Sequence, residues 1–236
     1  MSSLFVFDVD GVLCDKGEPI DEEFAGWFFG WMKDKEIIFV TGSQREKTIE
    51  QLGISIVNSA KIGFHCLGNS IFINGKDVYI NQFTLNEEEL KFLNEKVAES
   101  QYHTKTGNHI ELRTGTVNFS IIGKNADKEQ RLDYYNYDKV TNERIKIIQE
   151  LTAAFPRLEA YIGGLVSIDI CLRGANKGQI IGLLPFREKN YFFGDRCFEY
   201  GVDQPLTKLF RFGDGSYKAF QIDEGYKQTW EILKNL

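Results

Sequence analysis

The chain lacks an excess of positive charge, a long apolar run and any close pair of cysteines. Lys and Arg number 28 against 34 Asp and Glu, a net charge of −6. A phosphate backbone needs a basic face, so the charge argues against nucleic acid as the main partner. No stretch approaches the roughly 20 apolar residues that span a bilayer, which argues against a membrane partner. The first residues lack a basic segment followed by an apolar one, so no signal peptide is expected and a cytoplasmic location is. Cys14, Cys66, Cys171 and Cys197 are scattered, without C-x-x-C spacing. In the cytosol they read as free thiols. Internal repeats and low-complexity segments are also missing. What is left is an ordinary globular composition over 236 residues, which suits one large domain or a core with a moderate insertion.

The most informative stretch is Leu4-Phe5-Val6-Phe7-Asp8-Val9-Asp10-Gly11-Val12-Leu13. Leu4 to Phe7 read as a strand buried on both faces, and Asp8 falls where such a strand runs out into a loop. Alternate residues of extended chain point the same way, which sets Asp8 and Asp10 on one side, about 6–7 Å apart. Two adjacent carboxylates repel, and both stay ionised at neutral pH only beside a cation or strong donors. A hard cation, Mg²⁺ above all, meets that need and also accepts a phosphate oxygen. Gly11 then allows a sharp turn or a close approach to a ligand. A calcium-type or merely solvated Asp-rich turn is the competing reading, and it leaves the preceding strand and the following glycine without a reason.

Two further segments repeat the pattern of apolar strand followed by polar turn. Ile37-Ile38-Phe39-Val40 ends in Thr41-Gly42-Ser43, and Tyr191-Phe192-Phe193 ends in Gly194-Asp195. Asp21 is placed to cap an aromatic-rich helix from Glu22, a second helix follows from Gln44 to Leu52, and Gly53 stops it. Asn74-Gly75 joins two short strands as a tight hairpin. From Asn86 the pattern changes: a polar helix to about Gln101, strands His109–Arg113 and Thr116–Ile121 around Gly115, a helix capped by Thr141 and running to Phe155, and an alternating strand Leu165–Ile170. Tyr226 to Leu236 closes as a helix. The expected fold is α/β: a Rossmann-like parallel-sheet core from residues 1–83 and 186–236, with an α+β cap inserted at 84–185.

Open α/β sheets bind ligands beyond the carboxyl ends of their strands. Here those ends carry Asp8 and Asp10, Thr41 and Ser43, and Asp195. Paired carboxylates, a hydroxyl and a further carboxylate at one edge suit phosphoryl transfer, in which cation and donors neutralise the equatorial oxygens. Such a site also calls for a lysine near the transferred group, and Lys177, just before an apolar helix at Ile180–Leu184, is the candidate. Alone it would read as a surface charge at a helix start.

Together these motifs resemble the haloacid dehalogenase superfamily. Asp8-Val9-Asp10-Gly11-Val12 matches its D-x-D-G-[TV] motif, Ser43 or Thr41 its second, Lys177 its third. Gly194-Asp195, with Asp203 as a looser match, corresponds to G-D-x-x-x-[ND]. The resemblance implies Asp8 as the nucleophile that forms an aspartyl-phosphate and Asp10 as general acid and base. It implies Mg²⁺ held by Asp8, the backbone carbonyl of Asp10 and the fourth-motif residues Asp195 and Asp203.

The stretch Glu111-Leu112-Arg113-Thr114-Gly115-Thr116-Val117-Asn118-Phe119-Ser120-Ile121-Ile122-Gly123-Lys124 resembles the cap of the eukaryotic-type phosphomannomutases. Glu129-Gln130-Arg131, Gly163-Gly164-Leu165-Val166-Ser167-Ile168-Asp169 and Glu50-Gln51-Leu52-Gly53 extend the match over nearly the whole chain. The position where that family carries an arginine after the first motif is Gly17, beside Lys16, and the cap position after Ile-Gly is Lys124 instead of arginine. The resemblance implies a hexose phosphate substrate and a homodimer formed through the cap. Arg113, Lys124 and Arg131 would then hold the distal phosphate, and Ser167 and Asp169 the sugar hydroxyls. The expected activity is interconversion of mannose 6-phosphate and mannose 1-phosphate. A sugar-phosphate phosphatase shares the same core, and a catalytically silent phosphosugar binder is the reading from outside enzymology.

Overall fold

Alternate residues of β1 (Ser3–Phe7) enter different apolar clusters, which makes it a central strand. Phe5 and Phe7 pack with Phe24, Phe28 and Phe39, whereas Leu4 and Val6 pack with Ile38, Val40 and Phe192. In the computed structural model, residues 3–185, 187–211 and 215–236 are described. Met1 and Phe186, where the two core segments are expected to begin, lie outside them.

The first half of the core follows the sequence closely. Helix α1 (Glu22–Trp31) starts where the Asp21 carboxylate accepts the Phe24 amide at 3.0 Å. Strand β2 (Glu36–Val40) leads to α2 (Arg45–Leu52), which stops at Gly53 with φ +79°, a conformation that favours glycine. A short α3 (Ile54–Ser59) precedes β3 (Ile62–His65) and the hairpin of β4 (Ser70–Ile73) and β5 (Lys76–Ile80). Asn74 and Gly75 both have positive φ, 50° and 81°, as a type I′ turn requires.

The inserted cap begins with α4 (Glu87–Glu99), whose capping box pairs the Asn86 and Glu89 side chains with each other's backbone amides. Strands β6 (Ile110–Arg113) and β7 (Thr116–Phe119) form a hairpin. Two helices follow, α5 (Lys128–Thr141) and α6 (Glu143–Ala154), then β8 (Leu158–Ile162) and β9 (Ile168–Leu172). The cap sheet is antiparallel in the order β6-β7-β9-β8. Its own core gathers Leu93, Phe119, Tyr134, Ile148, Leu158 and Ile170, and Phe83 joins it from the connecting segment.

The chain returns to the core earlier than residue 185. Residues Lys177–Leu183 form a 3₁₀ helix, not the α-helix expected from Ile180, and Ile180 packs among Val40, Phe192 and Leu206. Then come β10 (Lys189–Gly194), α7 (Gln204–Arg211), β11 (Tyr217–Gln221) and α8 (Tyr226–Lys234). The core sheet runs β11-β10-β1-β2-β3-β4-β5, parallel through β3 and antiparallel at the β4–β5 edge.

Two cap expectations are corrected. The helix expected from Thr141 begins at Glu143, because Asn142 takes a left-handed φ of 54° and breaks the path from α5. The strand expected from Leu165 begins at Ile168. Helix α5 escapes a periodicity reading because it buries only Tyr134 and Asp138, too little for an apolar stripe.

Candidate active site

Strands β10, β1 and β2 are parallel neighbours, so their carboxyl ends open on one edge of the sheet. Asp195, Asp8 and the turn Thr41-Gly42-Ser43 follow those three ends. The cap covers the edge and encloses a cavity of about 490 Å³. Asp8, Asp10, Ser43, Lys177 and Asp195 line it from the core, and Arg113, Lys124, Arg131, Ser167 and Asp169 line it from the cap. The structure therefore brings together every residue picked from the sequence; Asp203 alone does not line the cavity and lies beside Asp8 and Asp195.

Carboxylate oxygens of Asp8, Asp195 and Asp203 lie within 4.8 Å of one another, all three residues buried. Lys177 is fully buried beside them, its Nζ 2.9 Å from Asp8 Oδ1 and 2.6 Å from Asp203 Oδ1. The other Asp203 oxygen accepts the Arg196 amide at 3.0 Å. Asp203 thus holds Lys177 and the turn after β10 together. Gly194 is required there, since a Cβ would fall 2.8 Å from the Asp203 carboxyl carbon.

Burial lowers the proton affinity of Lys177, but Asp203 and Asp8 outweigh it and raise its pKa. The lysine is a fixed cation. Burial raises the Asp8 carboxyl well above its usual range; Lys177 pulls it back, while Asp203 and Asp195 push it further up. Asp195 is raised too, by burial first, against Arg196 and Lys16. Lys16 reaches in from the loop after β1, 2.9 Å from Asp195 Oδ2, with its side chain 44 % exposed. Lys177, Lys16 and Arg196 match the three buried carboxylates in formal charge. The all-oxygen donor set of Asp8, Asp195 and Asp203 is the kind that fits a hard divalent cation such as Mg²⁺.

Asp10 does not extend this cluster. Its Oδ1 accepts the Gly17 amide at 2.7 Å and the Gln51 side-chain amide at 2.8 Å. The expectation that Asp8 and Asp10 lie along one extended strand is corrected: β1 ends at Phe7, and the chain turns through Gly11 at φ +87°. Both still face the cavity, in different surroundings. At the end of β2 the Thr41 hydroxyl accepts the Ser43 amide at 3.1 Å, which shapes the turn, and both residues line the cavity.

On the cap, Arg113 and Lys124 share Glu111: Arg113 Nη2 lies 2.5 Å from Glu111 Oε2 and Lys124 Nζ 3.0 Å from the same oxygen. Arg113 Nη1 also donates to the Gly42 carbonyl at 3.4 Å, tying cap to core. Arg131 spends two donors on backbone, the Ala126 carbonyl at 2.8 Å and the Lys124 carbonyl at 2.7 Å. It fixes the turn that carries Lys124 as well as facing the cavity. Asp169 Oδ1 accepts the Asn118 amide at 2.5 Å, and Ser167 Oγ accepts the Gly164 amide at 3.1 Å. A side chain at Gly163 would fall 2.3 Å from Asp169 Oδ2, which accounts for that glycine. Glu18 and Lys128 form an ion pair between the core loop and the start of α5.

A family model described as eukaryotic phosphomannomutase matches residues 28–212. The chain belongs to the eukaryotic phosphomannomutase family. It is 32% identical over 209 residues to a phosphomannomutase of Arabidopsis thaliana, covering 85% of each chain. It is 33% identical to that of Spinacia oleracea, covering 85% of this chain and 84% of the relative. The C-terminal domain of C. albicans trehalose-6-phosphate phosphatase shares the fold: TM-score 0.66 at 15% identity, covering 99% of this chain and 92% of that one.

The cavity also gathers cationic residues to which the sequence assigns no role. Arg196 is buried, lines the cavity and lies 3.7 Å from Asp195 Oδ2. Its position directly after the Gly-Asp pair was the available signal. Lys16, next to Gly17, brings its charge to Asp195. Lys47 on α2 also lines the cavity. Among the described residues, no helix is long and apolar enough to cross a membrane, and all four cysteines are buried and free.

Proposed function

We propose that this chain is a phosphomannomutase that moves a phosphoryl group between the two ends of mannose phosphate through an aspartyl-phosphate on Asp8. The observation that carries this reading is the arrangement of the cavity walls: a buried carboxylate cluster with a fixed lysine on the core side faces Arg113, Lys124 and Arg131 on the cap side. A substrate with a phosphate at each end needs both walls.

In the forward direction a hydroxyl oxygen of the hexose phosphate attacks phosphorus on phospho-Asp8. The O–P bond to Asp8 breaks as the new one forms, and Asp10 takes the hydroxyl proton. The bisphosphate then turns end for end. Asp8 attacks the other phosphate, and Asp10 returns the proton to the departing sugar oxygen. Lys177 neutralises the Asp8 carboxylate as it becomes a leaving group, Ser43 donates to a phosphoryl oxygen, and Arg113 and Lys124 hold the phosphate that is not reacting. Ser167 and Asp169 bond sugar hydroxyls. Asp8, Asp195 and the Asp10 carbonyl would hold Mg²⁺, with Asp203 buttressing the group; when bound, the ion neutralises phosphoryl charge. Pairing of two caps into a homodimer belongs to the same proposal and is supported by the exposed apolar cap residues Leu112, Leu132 and Val140.

The test is product partition with mannose 1-phosphate and a trace of hexose bisphosphate. The proposal expects mannose 6-phosphate without matching release of inorganic phosphate. Release of free phosphate as the main product would make the chain a sugar phosphatase instead, and no turnover with retained binding would leave only a phosphosugar binder. Running glucose phosphates in parallel ranks the two hexoses.

A further inference from the structure

Gln51 lies on α2, outside the cavity lining, and only 5% of it is exposed. Its side chain points at the loop that follows β1. Nε2 donates to Asp10 Oδ1 at 2.8 Å and lies 3.4 Å from both the Glu18 carbonyl and Cys14 Sγ. The Gln51 backbone carbonyl accepts the Ile20 amide at 2.8 Å, so side chain and backbone grip opposite ends of one loop. Among the described residues, nothing pairs with the buried Gln51 Oε1. Leaving a buried amide oxygen unpaired is costly. Turning the amide over would only press that oxygen against the Asp10 carboxylate. The side chain therefore accepts an unpaired atom in order to donate to Asp10.

We propose that Gln51 is a positioning residue for Asp10, and that it selects which carboxylate oxygen handles the proton. This rests on the phosphoryl-transfer reading above. Oδ1 already receives two N–H donors, from Gln51 and from Gly17. A hydroxyl hydrogen on Oδ1 would collide with them, so the proton is carried on Oδ2. The two donors also fix the carboxylate plane and aim Oδ2 at the cavity that Asp10 lines. When the sugar hydroxyl attacks phospho-Asp8, its proton passes to Oδ2 as the Asp8 O–P bond breaks. In the return step the same proton leaves Oδ2 for the departing sugar oxygen. Gly17 supplies its half through the backbone, and its φ of +79° is open to glycine at little cost. The loop that carries Gly17 is thereby tied directly to the acid–base group.

The experiment compares Gln51→Met with wild type on two phosphate donors. A hexose phosphate has a poor leaving group that needs the Asp10 proton; acetyl phosphate has a good one that does not. A group misplaced by about 1 Å costs on the order of 100-fold, so kcat on hexose phosphate is expected to fall by about that factor with KM within about twofold. The single-turnover rate at which acetyl phosphate phosphorylates Asp8, releasing acetate, should stay within about threefold of wild type, because general-acid help is not needed in that step. Equal losses on both donors, or no loss on hexose phosphate, would overturn the proposal. If Gln51→Met does not fold, Gln51→Asn, which keeps the amide but withdraws it from Asp10, is read the same way. Wild type that neither turns over hexose phosphate nor is phosphorylated by acetyl phosphate would instead strike at the phosphoryl-transfer reading.

Discussion

Lys177 Nζ sits 2.9 Å from Asp8 Oδ1, with neither side chain more than 7% exposed. The Val9 amide donates to the same oxygen at 2.8 Å. Among the described residues, the donors to Asp8 thus converge on Oδ1, which leaves Oδ2 as the nucleophilic oxygen. The lysine in turn is held 2.6 Å from Asp203. One buried cation therefore orients the nucleophile and neutralises the residue behind it.

Lys177→Met should lose both activity and stability. Removing one partner of a buried ion pair leaves the other charge uncompensated, which costs about 3–5 kcal/mol. Urea unfolding of the metal-free protein should show a loss of that size. An unchanged midpoint would mean that Asp203 and Asp8 do not depend on the lysine.

Divalent cation should stabilise the protein more at neutral pH than in acid. Burial raises the Asp8 and Asp195 carboxyls above their unfolded values. A group with a raised folded pKa binds its proton more tightly when folded, so its ionisation destabilises the fold as pH climbs from the ordinary carboxylate value through the raised one. Bound cation removes that repulsion. The rise in Tm produced by MgCl2 over EDTA should be larger at about pH 7.5 than at about pH 5. Equal shifts at both would contradict the electrostatic account.

Lys16 and a cation compete for Asp195. The ammonium lies 2.9 Å from Asp195 Oδ2 on a half-exposed side chain. An exposed ion pair is worth at most about 1 kcal/mol, so Lys16→Met should tighten Mn²⁺ binding about two- to fivefold in the absence of substrate. Isothermal titration measures this directly, and weaker binding in the variant would reverse the assignment.

Arg113→Lys tests the cap wall. The guanidinium of Arg113 reaches Glu111 and the Gly42 carbonyl at once, a span that a point charge does not reproduce. KM for hexose phosphate should rise about tenfold, while Tm stays within a few degrees because the residue lies at the cavity rather than in an apolar core. An unchanged KM would remove Arg113 from substrate binding.

The parts of the site that are legible in local pattern alone, without the family resemblance, are those where a continuous apolar run stops at an acid or hydroxyl. Val6-Phe7-Asp8, Phe39-Val40-Thr41 and Phe193-Gly194-Asp195 all carry that mark. Gln51 and Arg196 carry no such mark. Gln51 acts through a contact with Asp10, 41 positions away, which only the β1–β2 pairing creates. The cap was harder to read: α5 is polar on most sides, and the left-handed Asn142 that separates it from α6 is invisible to periodicity. The 3₁₀ stretch after Asn176 belongs to the core because Lys177 must reach Asp8, a requirement set by the site more than by local pattern.

The central claim is that Asp8 carries the phosphoryl group. Incubation with a radiolabelled hexose bisphosphate, acid quench and peptide mapping tests it most directly. The account predicts label on the peptide containing Asp8, released by hydroxylamine as an acyl phosphate is, and absent from Asp8→Asn. Label on another residue, or full turnover by Asp8→Asn, would contradict it.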